Sequence, residues 1–186
     1  MTRRQFYDWQ TAGGGGDVMR LVDILEQAEA AWCVIGGLAV NHWAQEPITT
    51  ADVDLVITSD KLEPVVKALE AAGFQAERFE WSVNLKRQSG VSVQVSTEAV
   101  YQSFPARSVP ADVHGILMRV ASLEDTLQGK LLAWRDARRR PSKRQKDWLD
   151  ITRLVEAHPQ LQARLPADVA QRLAAMLSNN GANPVP

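Results

Sequence analysis

Residues 34–57 constrain the fold most, because an apolar strand, a glycine turn and two closely spaced carboxylates follow one another there. The apolar residues before Gly36 predict the end of a short buried strand, and residues 38–43 predict a helix after Gly37. Because glycine has no Cβ atom, backbone N–H groups at this turn can approach a ligand, and a helix N-terminus favours an anion such as a phosphate. The turn is therefore a candidate phosphate site.

The second half of this segment predicts a strand over residues 52–57 that enters the core from an acidic end. Asp52 and Asp54 are two residues apart, so they project from the same face of the strand. Two adjacent carboxylates repel each other unless a cation lies between them, and Mg²⁺ is usually held by one or two carboxylates plus substrate phosphates. A simple turn or a solvated strand end explains each motif alone, but their combination favours a metal and phosphate site.

The order Gly36-Gly37, fourteen residues, Asp52-x-Asp54 resembles the signature of the polymerase-β-like nucleotidyltransferase superfamily, with a separation on the long side for that family. Within it, the chain is similar to the bacterial AbiEii-like (MenT-like) nucleotidyltransferases, several of which are toxins of toxin–antitoxin systems. The resemblance implies an α+β fold with a mixed β-sheet, packed helices and a C-terminal helical extension. It also implies that Asp52 and Asp54 hold Mg²⁺ or Mn²⁺, while Gly36 and Gly37 bind the phosphates of an NTP.

One position departs from the superfamily pattern. The superfamily usually has a third carboxylate in an apolar-acidic-apolar triplet on the strand beside Asp-x-Asp, but here the matching triplet is Val93-Gln94-Val95. A glutamine amide is neutral and cannot act as a base near pH 7. Glu98 follows four residues later, where it either reaches the site from the strand end or lies in a solvated loop. In the AbiEii-like branch this second acidic motif varies.

Residues 123–151, LEDTLQGKLLAWRDARRRPSKRQKDWLDI, carry a second resemblance. They look like the AbiEii-like pattern of a Leu-Glu-Asp helix with a lysine, an Arg-rich turn and a Lys-Asp-x-x-Asp helix. The resemblance implies that Lys130 contacts the nucleotide phosphates, and that Asp147 and Asp150 lie near the active site or stabilise a basic partner there. The alternative is a solvated Lys130, with both aspartates paired to basic neighbours on their own helix. Those neighbours are Lys143, Arg144 and Lys146.

Residues 138–146 form the one concentrated basic stretch. It either binds a triphosphate or an RNA backbone by neutralising charge, or it is a solvated connection between two helices. The whole chain has 21 Lys and Arg against 22 Asp and Glu, so it lacks the global basic charge of many nucleic-acid binders. A single cysteine, Cys33, excludes a disulfide framework and a cysteine-rich zinc site.

The 186 residues suit one domain with a small helical extension. We expect a flexible segment over 1–16, an α/β core over 17–121, a helical part over 122–178 and a disordered tail over 179–186. Asp17 predicts the cap of a helix over 17–30, residues 101–114 predict irregular structure, and residues 116–120 predict a strand at the sheet edge. The other expected elements are a helix over 61–72, a strand over 74–79, a hairpin of strands 82–87 and 91–96, and helices over 122–139 and 166–177, with a further helix ending at His158.

No signal peptide or membrane-length apolar segment is evident, so we expect a cytoplasmic protein without a membrane partner.

The sequence thus supports two main hypotheses. The first is a metal-dependent nucleotidyltransferase that moves an NMP from an NTP to a hydroxyl acceptor, either a tRNA 3′ end or a protein, and that acts as a toxin with an antitoxin partner. The second is a catalytically degenerate nucleotide-binding or interaction protein that keeps the fold, which Gln94 favours. A structural helper that binds neither nucleotide nor metal is a third reading.

Overall fold

The computed structural model describes residues 14–45, 48, 50, 52–89 and 91–180, without the side chains of 177–180. The helices are α1 (Gly15–Gln27), α2 (Gly36–Ala44), α3 (Ser59–Ala71), α4 (Leu123–Arg135), α5 (Pro141–Ala157) and α6 (Ala167–Asn180). The strands are β1 (Trp32–Val34), β2 (Val53–Ile57), β3 (Gln75–Arg78), β4 (Ser82–Lys86), β5 (Ser92–Ser96), β6 (Val109–Val113) and β7 (Ile116–Val120). Short 3₁₀ helices cover Ala99–Tyr101, Pro105–Arg107 and Pro159–Arg164.

The strands form one mixed sheet in the order β3-β4-β5-β2-β1-β7-β6. The β2–β5 and β1–β7 pairs are parallel, and the remaining pairs are antiparallel. Helices α1 and α3 pack on one face of the sheet and share its main hydrophobic core. A second core joins α2 to α4, α5 and α6. The predicted mixed sheet with packed helices and a C-terminal helical part is confirmed.

The alternation of side chains along β2 places its acidic residues. Val53, Leu55 and Ile57 belong to the core under α1 and α3. Because strand side chains alternate between faces, Asp54 points to the opposite face, where Val56 packs against Phe104. The site therefore lies on the face of the sheet that α1 and α3 leave uncovered.

The first helix begins two residues earlier than the sequence predicts. Gly15 is its first residue, and Gly14 caps it without a side-chain hydrogen bond, so the prediction of Asp17 as the N-cap is wrong. Asp17 lies instead in the first turn, buried, where Arg87 Nη1 donates to its Oδ1 at 2.6 Å and Ser89 donates to its Oδ2. The carboxylate is thus used to fasten α1 to the end of β4. Residues 1–13 of the predicted flexible segment lie outside the described residues.

We expect the Asp17 carboxylate to make a pH-dependent contribution to the stability of the fold. Burial works to raise its pKa, but hydrogen bonds from Ser89 and Arg87 outweigh burial and hold the pKa below the ordinary 3.8. A lowered folded-state pKa stabilises the protein above pH 3.8, and this stabilisation is lost as the pH falls through the folded-state value. We expect Asp17→Asn to lower the free energy of unfolding near neutral pH by about 1–3 kcal/mol. In urea titrations the difference from wild type should shrink at acid pH.

Exposed Asp23 on the same helix supplies the control, because Asp23→Asn should change the unfolding free energy little at any pH. Equal stability of Asp17→Asn and wild type near neutral pH would contradict the assignment.

The segment predicted to be irregular contains a strand. Residues Val109–Val113 form β6, although Pro110 lies within it, and β6 pairs antiparallel with β7. Proline lacks an N–H donor and is tolerated in an edge strand, and β6 is at one edge of the sheet. The predicted strand over 116–120 is present, but it lies between β1 and β6, so its predicted place at the edge is wrong.

The C-terminal helices also differ in their bounds. Helix α4 ends at Arg135 rather than near residue 139, and Ser122 caps its start, accepting from Asp125 N at 3.1 Å. Helix α5 begins at Pro141, a residue that suits a first helical turn. Residues 141–146 of the basic stretch are therefore helical, and only residues 136–140 connect the two helices. Helix α6 continues to Asn180 rather than ending near 177, and the predicted tail beyond residue 180 lies outside the described residues.

Cys33 is fully buried, and burial raises the pKa of its thiol to about 12. Among the described helices, none combines the length and the apolar character needed to cross a membrane.

Candidate active site

A cleft of about 470 Å³ lies between the uncovered face of the sheet and the helices α4 and α5. Six of the seven predicted site residues line it, namely Gly36, Gly37, Asp52, Asp54, Lys130 and Asp147. The seventh, Asp150, is buried beside Lys130 and does not line the cleft. Residues far apart in the chain thus meet in one place.

Gly36 is held directly against Asp54. Its φ of +66° lies in the left-handed region, which glycine adopts at little cost. A Cβ atom on residue 36 would lie 2.8 Å from Asp54 Cγ and closer still to Asp54 Oδ2. The backbone is drawn in by a hydrogen bond from Ile35 N to Asp54 O at 2.9 Å. Glycine is therefore required here so that the start of α2 can contact the carboxylate.

Gly37 meets a different neighbour. A Cβ atom on Gly37 would lie 3.1 Å from Thr50 Oγ1. Thr50 also lines the cleft, and it comes from the loop that leads to Asp52. No sequence signal singled out Thr50, because its position depends on how this loop returns to the sheet.

The carboxylate of Asp54 carries an electrostatic cost. Burial raises its pKa above the ordinary value, Lys130 partly offsets that increase, and the Asp52 charge adds to it. A divalent cation bound by Asp52 and Asp54 would remove this cost, and carboxylate oxygens are the ligands that Mg²⁺ prefers. Among the described residues, no third Asp, Glu, His or Cys joins them in a metal-binding group. The donor set fits a cation held by two carboxylates and completed by substrate phosphates.

Gln94 is the neighbour of Asp54 on the adjacent strand. The parallel register of β2 and β5 pairs the two residues directly, and Gln94 in turn pairs with Asn84 of β4. The three paired positions on β2, β5 and β4 are therefore one carboxylate, Asp54, and two amides, Gln94 and Asn84. Glu98 follows the end of β5, is half-buried, and also lines the cleft.

Lys130 is buried between two aspartates of α5. Its Nζ atom lies 3.1 Å from Asp147 Oδ1 and 2.7 Å from Asp150 Oδ2. The second contact is ionic but misses hydrogen-bond geometry, so Asp150 Oδ2 has no hydrogen-bond partner. Lys130 is 7% exposed, which excludes the alternative of a solvated lysine.

Apart from Lys130, the cations that pair with the two aspartates are Arg139, which precedes α5, and Arg153, one turn after Asp150 on α5. Asp147 Oδ2 lies 2.7 Å from Arg139 Nε, and Asp150 Oδ1 lies 3.2 Å from Arg153 Nη1. The alternative in which Lys143, Arg144 and Lys146 pair with them is therefore wrong. The reason is that both aspartates face α4, where Lys130 is buried. Arg144 instead donates to the carbonyl of Trp134 at 2.8 Å.

A chain of polar contacts extends from Asp150, through Arg153 and Asn41, to the backbone of Ile48. Arg153 Nη2 donates to Asn41 Oδ1 at 3.1 Å, and Asn41 exchanges two hydrogen bonds with the backbone of Ile48, at 2.7 and 3.0 Å. Asn41 and Arg153 are 112 residues apart, and their pairing left no sequence signal. Asn41 and Arg153 therefore connect Asp150 and Lys130 to the loop that leads to Thr50 and Asp52.

Removing the Lys130 charge should cost stability. Lys130→Met would leave two buried carboxylates that retain one arginine each, so we expect the free energy of unfolding to fall by about 3–5 kcal/mol. Chemical denaturation measures this directly. Exposed Lys143→Met is the matched control and should change stability by less than about 0.5 kcal/mol. In Lys130→Met, adding Asp150→Asn should recover part of the loss, and an unchanged stability of the single variant would contradict the role of the ion pairs.

Five cationic residues line the cleft from the α4–α5 connection and the start of α5. They are Arg138, Arg139, Arg140, Lys143 and Lys146. Arg139 pairs with Asp147 and Arg138 with Asp136. Among the described residues, the other three form no ion pair, so their charge is available to an anion. We call these five residues the basic wall.

Solved structures show the same fold at low sequence identity. The lincosamide antibiotic adenylyltransferase LnuA, lincomycin-bound, is 14% identical, with 76% of this chain and 96% of that chain covered and a TM-score of 0.54. ANT(2″)-Ia in complex with adenylyl-2″-tobramycin is 13% identical, with 88% and 95% covered and a TM-score of 0.54. An antigenic nucleotidyltransferase-like protein from Paracoccidioides brasiliensis is 22% identical, with 89% and 87% covered and a TM-score of 0.53. The fold is therefore that of the polymerase-β-like nucleotidyltransferases.

Comparison with curated proteins gives no sequence match. The family model described as nucleotidyl transferase AbiEii toxin, Type IV toxin–antitoxin system, matches residues 21–181, which include the sheet, the cleft and the C-terminal helices. The chain belongs to the AbiEii nucleotidyl transferase family.

Proposed function

We propose that this protein transfers an NMP from an NTP to a hydroxyl acceptor and releases pyrophosphate. The observation that carries the proposal is the cleft itself, in which Asp52, Asp54 and the Gly36 turn lie together with the basic wall. An NTP needs both features, because its triphosphate is anionic and is usually bound with a divalent cation. The family match supports the same reaction class.

In this proposal Asp52 and Asp54 hold Mg²⁺, for which Mn²⁺ is a substitute. When bound, such a cation neutralises phosphate charge and polarises the reacting phosphoryl group. The raised pKa of Asp54, caused first by burial, supports a cation at this position, since the ionised carboxylate is costly there without one. Gln94 offers an amide oxygen beside Asp54 but no negative charge.

The chain's own residues supply binding and orientation. Gly36 and Gly37 present backbone N–H groups at the start of α2, where the helix dipole favours the β- and γ-phosphates. Lys130 and Arg139 reduce negative charge next to Asp54, as their influence on that carboxylate indicates. Asp147 and Asp150 position Lys130 rather than touch the anionic substrate. Fixed charges of this kind accelerate a reaction mainly by positioning and electrostatic stabilisation.

The acceptor and the biological role are proposed from the resemblance to the family. We propose that the acceptor is a tRNA 3′ end or a protein hydroxyl, that the protein acts as a toxin in the cytoplasm, and that an antitoxin partner restrains it. The type IV toxin–antitoxin description of the matching family supports the last two points.

A transfer assay tests the proposal. The protein is incubated with each α-labelled NTP, Mg²⁺ or Mn²⁺, and total tRNA, in parallel with samples that contain EDTA. We expect label on tRNA or on the protein itself in the presence of the divalent cation and none with EDTA. The NTP that gives label identifies the donor, and its location identifies the acceptor class.

Gln94 favours one other function. Because an amide occupies the position next to Asp54, a catalytically degenerate protein that binds nucleotide without turnover is the second candidate. Metal-dependent NTP binding without any label would support this candidate and contradict transfer. If the protein binds neither NTP nor metal, both functions are excluded and a structural role remains.

A further inference from the structure

Glu98 is placed on the same face as the candidate site. Gln94 and Ser96 of β5 both line the cleft, and Glu98 continues their two-residue alternation just past the strand end. Its backbone is fixed on both sides, because Glu98 N donates to Ser96 Oγ at 3.4 Å and Glu98 O accepts from Tyr101 N at 3.2 Å. Its side chain is partly exposed and, within the described part of the chain, makes no ion pair or hydrogen bond. The backbone of Glu98 is therefore fixed, while its carboxylate is available to interact with a substrate.

The other carboxylates that the structure describes in the cleft are already committed. Asp147 is held by Lys130 and Arg139. Asp125 is held by Arg107, whose Nη2 and Nε lie 2.7 and 3.0 Å from its two oxygens. In the proposed function, Asp52 and Asp54 hold the cation. Glu98 is the carboxylate that remains for proton transfer.

Neutral side chains near Glu98 do not compete for this role. Gln94 has no basic group at neutral pH. Burial, followed by the charge of Glu98, raises the pKa of Tyr101 to about 12, so its phenol stays protonated at neutral pH. Tyr101 therefore can donate a hydrogen bond but does not remove a proton.

We propose that Glu98 is the general base that deprotonates the acceptor hydroxyl, in place of the carboxylate that Gln94 lacks. This inference rests on the proposed nucleotidyl transfer. The hydroxyl proton passes to the Glu98 carboxylate as the acceptor oxygen forms a bond to the α-phosphorus. The bond from that phosphorus to the bridging oxygen breaks, and pyrophosphate leaves with the electron pair.

The test compares Glu98→Gln with wild type in two measurements, label transfer to total tRNA or to the protein, and metal-dependent binding of a non-hydrolysable NTP. General-base catalysis contributes about 10²–10⁴-fold. We therefore expect Glu98→Gln to lower kcat for transfer by at least about 10²-fold with NTP binding unchanged. Adding Gln94→Asp to Glu98→Gln should restore part of the rate, because residue 94 lies beside Asp54 on the same face.

Glu80→Gln is the matched control. Glu80 is exposed and its charge acts on Arg138, as does that of Glu98, but Glu80 does not line the cleft. Its substitution should leave transfer at the wild-type rate. Transfer by Glu98→Gln at the wild-type rate would overturn the inference and leave the proposed function intact. An equal loss of NTP binding and transfer would also overturn it, since Glu98 would then be a binding residue. If wild type gives no label, the proposed function itself fails.

Discussion

Asp54→Asn is expected to lower nucleotidyl transfer by at least about 10³-fold, because it removes a charge that electrostatic catalysis requires at the centre of the cleft. The substitution keeps the size of the side chain, so the contact with Gly36 and the strand register should persist. The assay is label transfer at saturating NTP and cation. Asp52→Asn should act in the same direction, since both residues are proposed to hold the cation. A variant of Asp54 that keeps the wild-type rate would contradict the site.

The same substitution should not weaken the fold. The pKa of Asp54 is raised by burial, so the folded protein favours the protonated form. A raised folded-state pKa means that the contribution of Asp54 is favourable at low pH and is lost as the pH rises through the folded-state value. Without added cation, Asp54→Asn should therefore be at least as stable as wild type near neutral pH, with the advantage vanishing below pH 3.8. Exposed Asp60→Asn is the control for calorimetry and should show no such trend.

Gly36→Ala is expected to reduce both stability and transfer. Alanine at a left-handed φ costs about 1–2 kcal/mol, and its Cβ atom would displace the Asp54 carboxylate. We expect a lower melting temperature together with a transfer rate close to that of Asp54→Asn. The loss of transfer should exceed what the fraction of unfolded protein explains.

Gly16→Ala is the control for the glycine substitution. Gly16 lies in α1, where a Cβ atom would meet no heavy atom within 4 Å, so its stability should change by less than about 1 kcal/mol. Wild-type transfer by a folded Gly36→Ala variant would show that the close contact with Asp54 is dispensable.

Local sequence patterns were sufficient to predict most of the fold and part of the candidate site. The alternation of β2 and β5 and the helical spacing of the C-terminal residues depend on near neighbours, which a sequence shows directly. The mixed sheet and the helical extension were predicted correctly on that basis, and the family was predicted correctly from the resemblance of the Gly-Gly, Asp-x-Asp and Lys-Asp-x-x-Asp motifs. Strand β6 was missed because Pro110 is unfavourable inside a sheet but tolerated at its edge, and edge position is a property of the whole sheet.

The ion pairs of Lys130 show where local patterns fail. Asp147 and Asp150 have basic neighbours one turn away, and Asp150 pairs with one of them, Arg153, but the direction in which α5 packs against α4 also turns both carboxylates toward Lys130. In the same way, Asp17 has the sequence context of a helix cap, and Arg87, 70 residues later, draws it into an ion pair. Pairing between residues distant in the chain therefore replaces the local preference at Asp17 and Asp147, and adds to the local ion pair at Asp150.

The two edges of the sheet affect how the protein behaves at high concentration. An unpaired strand edge can add a strand from another molecule and begin aggregation. At one edge Pro110 interrupts the row of N–H donors on β6, and at the other β3 is short and polar, with Arg78 paired to Glu63 and Glu70. Both edges therefore discourage the addition of a strand from another molecule. We expect little edge-to-edge aggregation as the concentration of the protein rises.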